Sequence, residues 1–279
     1  YFQLQTPNGG SEFSNFVEEV RFNAHLHDSR ISLEDVAYFV PSIWGMDDMV
    51  KIDNLEIKGP VYGMRLKDTH IRLLEHTLIC GDFQIPVLND MSSAIFSERI
   101  DTFRTSIGDI EQLNLSPFLA DGMKHIEVPA NFERAHIVTL TDGHFDGGLE
   151  SFVVDGDLTS GLGNLHSQHG IQFTKKEDGL YYYDGPEGNP HGQDIIVDNV
   201  NLRAISGNPM LGDISGYLDI DGKGFSEIDL SINFVGKQTK IGLNGYDYHD
   251  ITVKKGNFAH NVFTGVIDIE DDNLALNYD

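Results

Sequence analysis

The sequence predicts an all-β protein in which many short strands form one long antiparallel sheet. Most of the chain alternates apolar and polar residues with period two. In residues 226–234, for example, Ile228, Leu230, Ile232 and Phe234 share one strand face. Asp-Gly and Asn-Gly turn signals separate such runs at short intervals. Helical spacing is confined to two short segments, too few for the crossover helices that parallel strands require.

Both predicted helices lie in the N-terminal part of the chain. In residues 29–40, Ser32 is suited to cap the first turn, and in residues 105–113 Ser106 is suited to the same role. An aspartate follows each serine three residues later, and apolar residues then continue at helical spacing. Both segments are too short to cover a long sheet.

Composition divides the chain into four parts. Residues 1–12 are predicted to be a flexible lead-in or the remnant of a tag, because they are rich in glycine and polar residues. The stretch 181–194 is rich in glycine and proline, which predicts a loop or joint. It separates a first β portion, 13–180, from a continuing portion, 195–279.

A strand–turn–strand unit recurs along the chain. Residues 138–155 align without gaps with residues 251–268, and Thr, Gly, Phe, Val and Asp are identical at matching positions. Such a repeat is typical of a sheet in which each unit packs mainly on its neighbours.

Glycines recur on the apolar face of the predicted strands. A heptad of the form apolar-x-Gly-x-apolar-x-apolar occurs at residues 79–85, 214–220 and 263–269. It places Gly81, Gly216 and Gly265 among apolar neighbours on one face. Because glycine weakens a strand, we expect these residues either to ease a sharp bend or to leave room for an apolar ligand.

Charge and motif content exclude several classes of function. Nineteen basic and 44 acidic residues give a formal net charge of −25, which argues against nucleic acid and anionic membrane surfaces as partners. Cys80 is the only cysteine, so a disulfide scaffold is excluded. His25 with His27, and His166 with His169, have spacings that a metal could use, but in a strand the second pair would point apart and the first would share a face without a further ligand. Adjacent aspartates are typical of solvated loops, and no catalytic motif is present. We therefore expect no enzymatic activity, no metal and no cofactor.

A sheet with one apolar face must cover that face, and two solutions fit the sequence. A second sheet would give a β-sandwich with a packed interior. Alternatively, one long sheet would fold lengthwise into a gutter, with the strand middles at the crease and the apolar residues inside. The glycines suit a bulge in a sandwich as well as the bend of a gutter, so these residues leave both solutions open.

Residues 29–85 and 100–113 carry a resemblance to a known family. The segment SRISLEDVAYFVP, followed by repeated short strands, is similar to the TamB branch of the AsmA-like envelope proteins, as found in Bacteroidetes-type sequences. The segment IDTFRTSIGDIEQL is similar to the same branch. Later strands match it only as a pattern, and the sequence would represent an interior segment of such a protein.

The resemblance implies a β-taco, which is a long antiparallel sheet folded into a groove with an apolar lining. It also implies a periplasmic location, with an inner-membrane anchor in the full-length protein. A BamA- or TamA-type outer-membrane protein would bind through regions outside this sequence. The groove would conduct phospholipid, or another acyl-chain ligand, between the two membranes and/or support outer-membrane protein assembly.

No catalytic residues follow from the resemblance, because the apolar lining carries the function. The expected lining residues are Ile71, Leu73, Phe83, Ile85, Leu218, Ile220, Ile228, Leu230, Ile232, Phe234, Ile267, Ile269, Leu274 and Leu276. The glycines expected on the same face are Gly81, Gly216 and Gly265.

The alternative function is that of a surface β-sandwich or adhesin-like module that binds glycans. Tyr181, Tyr182 and Tyr183 are suited to stack on sugar rings, although successive strand residues point to opposite faces. A sandwich would have a closed, dry interior, whereas a groove would keep its lining accessible.

Overall fold

The computed structural model describes residues 1–6, 20–38, 43–60, 63–85, 95–116, 124–128, 130, 132–148, 150–185, 195–224, 229–260 and 262–278. Strands account for 69% of the structure and helices for 9%, which confirms the all-β class. Every strand pairing among the described residues is antiparallel, as the short turns predicted.

The chain consists of two compact units. The first unit comprises residues 1–128 with 136–149, and the second comprises residues 129–135 with 150–279. This boundary differs from the predicted joint at 181–194. Tyr181–Asp184 form a strand inside the second unit, and residues 186–194 lie outside the described part of the chain.

The first unit is a meander in which each strand pairs with the next. Its described strands are β1 (Phe2–Gln5), β2 (Arg21–Ser32), β3 (Met49–Pro60), β4 (Met64–Leu73), β5 (Thr77–Ile85), β6 (Ile95–Ser106) and β7 (Ile137–Gly148). Strand β1 places residues 2–5 of the expected lead-in, 1–12, in the sheet, and residues 7–12 lie outside the described part of the chain. It pairs with β2, and the amino group of Tyr1 donates a hydrogen bond to the carbonyl of His25 at 2.9 Å.

The two predicted helices are present in the first unit as α1 (Leu33–Ala37) and α2 (Ile107–Gln112). At the start of each, a serine hydroxyl accepts a hydrogen bond from a backbone amide of the first turn, at 3.2 Å for Ser32 and 3.0 Å for Ser106. Both predicted N-caps are therefore correct. Helix α1 is shorter than the predicted segment, because residues 29–32 belong to β2.

The second unit is also a meander. Its described strands are β8 (Ser151–Ser160), β9 (Gly163–Lys175), β10 (Tyr181–Asp184), β11 (Ile195–Asn201), β12 (Leu211–Lys223), β13 (Ser231–Leu243), β14 (Tyr246–Tyr248), β15 (Ile251–Ala259), β16 (Val262–Asp271) and β17 (Leu274–Tyr278). Strands β10 and β11 occupy one position between β9 and β12, where each pairs with a different half of both neighbours. Strands β14 and β15 share the position beside β13 in the same way.

A third helix, α3 (Leu202–Ser206), joins β11 to β12 and was not predicted. The side chain of Asn201 accepts a hydrogen bond from the amide of Ala204 at 2.8 Å, and Gly207 ends the helix with φ +70°. These are ordinary capping features at both ends. The helix is a single turn, too short for its apolar spacing to stand out in the sequence.

Bulges interrupt both sheets and lie side by side on neighbouring strands. They form two bend lines, which are Thr69, Gly81 and Ile100 in the first unit and Val197, Gly216 and Gln238 in the second. Consecutive members of each line are paired across strands, at or beside the positions where the register shifts. Because a bulge bends its strand and increases the local twist, each sheet is bent along a line through its strand middles.

The bulges also decide which residues share a face. In β3, Val50 and Ile52 precede a register shift and Leu55 and Ile57 follow it, yet all four pack into one buried cluster. Ile52 and Leu55 are three residues apart, so in a regular strand they would point to opposite faces. The extra residue in the bulge returns the second pair to the apolar side. The same cluster also contains Leu26, Ile31, Leu33, Leu66, Ile71 and Leu73.

Candidate functional site

One face of the second unit carries apolar residues in four rows that run across the strands. The aromatic row is Phe152, Phe173, Tyr183, Gly222, Ile232 and Phe258. A second row is Ile220, Phe234, Gly256 and Gly265. A third row is Ile195, Leu218, Gly236, Val253 and Ile267. The bend row is Val197, Gly216, Gln238, Ile251, Ile269 and Leu276. In each row, every member is paired with the next, and together these rows define the apolar face of the second unit.

Burial on this face differs from residue to residue and does not follow the rows strictly. Val197, Gln238 and Ile251 in the bend row are 5%, 0% and 1% exposed. Away from the bend, side chains such as Ile232 and Phe234 are only half-buried. Tyr183 in the aromatic row is also buried, at 7% exposure, whereas Leu276 at the end of the bend row is 44% exposed.

Aromatic side chains are in contact along the aromatic row. The rings of Phe152 and Phe173 are stacked with centroids 5.1 Å apart, and the rings of Phe173 and Tyr183 are 5.8 Å apart. Such ring pairs contribute about 0.5–1.5 kcal/mol beyond the apolar area that they bury. The row is therefore a stable, continuous apolar strip across β8, β9 and β10.

The glycines of the apolar face do not leave empty space. A Cβ on Gly216 would lie 2.5 Å from the carbonyl oxygen of Lys237, and one on Gly81 would overlap the carbonyl oxygen of Arg99. Both residues have φ above +150°, a conformation that favours glycine. Of the two roles considered for these glycines, the geometry thus favours easing the bend. A Cβ on Gly222 would lie 2.6 Å from the ring of Tyr183, and a Cβ on Gly256 would lie 2.8 Å from the ring of Phe234.

The predicted lining residues of the second unit share the apolar face wherever the structure describes them in a row. Leu218, Ile220, Ile232, Phe234, Ile267 and Ile269 are half-buried, and Leu276 is 44% exposed. Leu230 immediately precedes β13, and Leu274 of β17 pairs with Asp271 of β16. Ile228 lies outside the described residues.

In the first unit, the predicted lining residues are divided between the buried cluster and the far side of the bend. Ile71 and Leu73 pack against the cluster formed around Val50 and Ile52. On the other side of the bend, Phe83 pairs with Leu66, and the backbone of Ile85 pairs with that of Met64.

Polar side chains that the alternating pattern did not single out are also buried on these faces. Glu98 is 9% exposed and pairs with Phe145, and its Oε2 accepts a hydrogen bond from the amide of Gln84 at 2.7 Å. Burial raises the pKa of this carboxyl. The sequence contains a signal for the burial of Glu98, because this residue lies between Phe96 and Ile100 in the period-two pattern. Gln238 carries no comparable signal.

Tyr181, Tyr182 and Tyr183 do not form one exposed surface. Tyr183 is 7% exposed in the aromatic row, and burial raises its pKa to about 12. The ring of Tyr181 lies 5.9 Å from that of Phe152. Tyr182 lies under the ammonium group of Lys176, 3.9 Å from the ring centroid. The tyrosines therefore belong to the packing of the sheet.

Known proteins provide no guide to this face. Comparisons with protein-family models, curated proteins and solved structures found no match. Among the described residues, no group of three or more His, Cys, Asp and Glu side chains is placed to hold a metal ion. None of the described helices has the length and apolarity needed to cross a membrane.

Proposed function

We propose that this chain is a segment of a TamB-like envelope protein whose bent sheets form an apolar groove for acyl chains. In this proposal the groove conducts phospholipid between the inner and outer membranes and/or supports outer-membrane protein assembly. A BamA- or TamA-type protein is the proposed outer-membrane partner, and the periplasm is the proposed location. The resemblance of residues 29–85 and 100–113 supports the family, and the apolar face supports the ligand.

The observation that carries the proposal is the partial exposure of the apolar face of the second unit. In a closed sandwich, side chains at the centre of such a face would be buried by the opposite sheet. Here Phe234 and Ile232 both lie in β13, which has a paired strand on each side, and both remain half-buried. The three described α-helices are single turns or little more, which is too small to cover ten strands.

The dimensions of the face suit an acyl chain. Strand β12 has 13 residues, so a bend near its middle leaves two arms of about 20 Å each. The bend row crosses the sheet from β11 to β17, a distance of about 24 Å at the usual strand spacing. Transfer of a 16-carbon tail from water to such a face is favourable by an amount on the order of 10 kcal/mol.

The face also suits movement of an apolar ligand. Every row carries aliphatic side chains and two rows also carry aromatic rings, so a tail that shifts by one strand exchanges one set of apolar contacts for another. Dispersion and hydrophobic contacts are non-directional, and a shift therefore changes the binding free energy little. Of the described residues, Gln238 is the only polar side chain buried on this face.

Organic extraction followed by lipid mass spectrometry tests the proposal. Protein purified without detergent is compared with protein that has been denatured and refolded in lipid-free buffer. We expect roughly stoichiometric phospholipid in the native sample only. A lipid-free native extract would contradict the groove and favour a sandwich.

A matched pair of variants ties the lipid to the face. Ile232→Asp places a charge on the apolar face, whereas Asn233→Asp places one on the adjacent, exposed position of the same strand. We expect the first variant to lose most of the bound lipid and the second to keep it, with circular dichroism confirming that both fold. Equal lipid content in both would exclude this face as the binding site.

A further inference from the structure

A second candidate site lies in the first unit, beside helix α1, and shares no residue with the rows described above. It is a pocket of about 240 Å³ lined by Glu34, Ala37, Trp44, Gly45, Met46 and Asp47. Ala37 and Met46 are buried and form its apolar floor. Trp44 is the only tryptophan of the chain and is 60% exposed. An exposed tryptophan beside two carboxylates suits recognition of a ligand that is both apolar and positively charged.

The loop that carries the pocket is fixed in place by a residue distant in the sequence. The side-chain amide of Asn114 donates hydrogen bonds to the carbonyl of Gly45 at 2.8 Å and to Oδ1 of Asp47 at 2.9 Å. Its backbone amide donates to Oδ2 of Asp48 at 3.1 Å. Asn114 is itself buried, at 7% exposure. The carboxylate of Asp47 is therefore positioned before any ligand arrives, which lowers the entropic cost of binding.

The indole ring is positioned as well. The ring of Tyr38, at the end of α1, meets the ring of Trp44 edge to face, with centroids 5.4 Å apart and planes at 81°. This contact holds Trp44 beside the pocket although both rings are largely exposed to solvent. The core cluster of this unit, formed by residues of β2, β3, β4 and α1, contains neither of these two rings.

The chain segment that carries the pocket has charged residues of one sign only. Residues 31–50 include Glu34, Asp35, Asp47 and Asp48 and contain no lysine, arginine or histidine. Among the described residues, no cationic group forms an ion pair with Glu34 or Asp47. The local field therefore attracts cations and repels anions, including phosphate groups.

We propose that this pocket binds an organic ammonium ion, with the cation against the face of Trp44 and its charge balanced by Glu34 and Asp47. The apolar substituents of the ligand rest on Ala37 and Met46. The site is independent of the proposed groove, because it shares none of its residues with the rows. Quaternary ammonium groups fit best, since they combine a diffuse charge with methyl groups that an indole ring contacts favourably.

Fluorescence of the single tryptophan tests the proposal directly. The protein is titrated with choline chloride while sodium chloride keeps the ionic strength constant. We expect a saturable change in Trp44 emission in the millimolar range. The neutral isostere 3,3-dimethyl-1-butanol should give no saturable change. A linear response to choline, or an equal response to the isostere, would overturn the proposal, as would saturable binding of methyl glucoside, which would assign the pocket to sugars.

Two neighbouring substitutions separate a specific site from a general attraction. Glu34→Gln removes a carboxylate that lines the pocket, and Asp35→Asn removes one on the same helix that does not. We expect the first to weaken choline binding by a factor of about two to five and the second to leave it within error. Equal weakening by both would show that choline senses only the overall negative field, and the site would be rejected.

Discussion

The two units bend their sheets in the same way but place different chemistry inside. The first unit buries several polar side chains, namely Thr69, Glu98, Thr105, Asp109 and Asn114, whereas the described part of the second buries only Gln238. The second unit instead uses glycines covered by rings, as in the pairs Gly222 with Tyr183 and Gly256 with Phe234. Polar contacts are directional and fix one arrangement, whereas rings over glycine give close packing through apolar ring atoms.

Under the proposed function, this difference would correspond to a division of tasks. Uniform apolar rows in the second unit suit a ligand that slides, because few polar groups interrupt them. The first unit combines a buried aliphatic cluster with hydrogen-bonded carboxylates, which gives specific local structure at the ends of its strands. We therefore expect substitutions in the second unit to act mainly through packing, and those in the first to depend on pH as well.

The largest expected effect tests what the units have in common, the bend line. Gly81→Ala and Gly216→Ala each drive a methyl group into backbone of the next strand, in a conformation that disfavours side chains. We expect each to lower the free energy of unfolding by about 3 kcal/mol, from overpacking and backbone strain together. Urea denaturation followed by circular dichroism measures the change.

Gly179→Ala is the matched control for these glycines. Gly179 also has a positive φ, +81°, but no atom lies within 4 Å of the position of its Cβ. It should therefore cost only about 1 kcal/mol, the price of the left-handed conformation alone. If all three variants lost the same stability, close approach of the strands at the bend would not explain why Gly81 and Gly216 share one backbone conformation.

The bend lines also show what the alternating pattern could and could not predict. Strand content, antiparallel pairing and both serine-capped helices followed from local signals in the sequence. The heptad glycines also indicated a bend or a bulge at Gly81 and Gly216. The change of face at each bulge did not follow, because a strict alternation places all apolar residues of a strand on one parity. In β15, Ile251 and Val253 share a face with Gly256 and Phe258, since the register shifts between Val253 and Lys255.

A signal for these bends was present in the sequence. The apolar positions change from even to odd numbers, or the reverse, in the middle of a strand. In β2, β4 and β7 an aspartate occupies a positive φ near that change, namely Asp28, Asp68 and Asp142. Aspartate tolerates this conformation better than most residues. Burial of Gln238 could not be predicted in this way, because it depends on the approach of β12 and on the missing side chain of Gly216.

A smaller effect is expected where the first unit relies on polar contacts. The buried carboxylate of Asp109 accepts hydrogen bonds from the hydroxyl of Thr77 at 2.7 Å and the amide of His76 at 2.8 Å. Burial acts to raise its pKa, but these hydrogen bonds outweigh burial and lower it. Asp109→Asn should reduce the free energy of unfolding by about 2 kcal/mol at pH 7, because an amide replaces one acceptor by a donor.

The pH dependence of Asp109→Asn follows from the direction of the shift. A lowered pKa in the folded state means that the stabilisation is present above the ordinary value of 3.8 and is lost as the pH falls through the lowered pKa. The stability difference between wild type and variant should therefore shrink in acid. Asp178→Asn, at an exposed carboxylate of the second unit, is the control and should cost less. A difference that stayed constant down to pH 2 would show that ionisation of Asp109 does not contribute.

The smallest expected effect is a gain in stability, from a substitution that gives the first unit a buried amide like that of the second. Burial raises the pKa of Glu98, so its charged form is disfavoured in the folded state. Its stabilising contribution is full below the usual value near 4.5 and is lost as the pH rises through the raised pKa. Glu98→Gln supplies a neutral amide, as Gln238 does in the second unit, and its carbonyl can still accept from the amide of Gln84.

We therefore expect Glu98→Gln to be slightly more stable than wild type at pH 7 and equal to it near pH 4. Melting temperatures measured between pH 4 and pH 8 test this, with Glu75→Gln in the exposed turn between β4 and β5 as the control. If Glu98→Gln were instead less stable at pH 7, the carboxylate would be ionised and held by a partner. The first unit would then be stabilised by a buried charge, and its contrast with the apolar rows of the second unit would include electrostatics as well as packing.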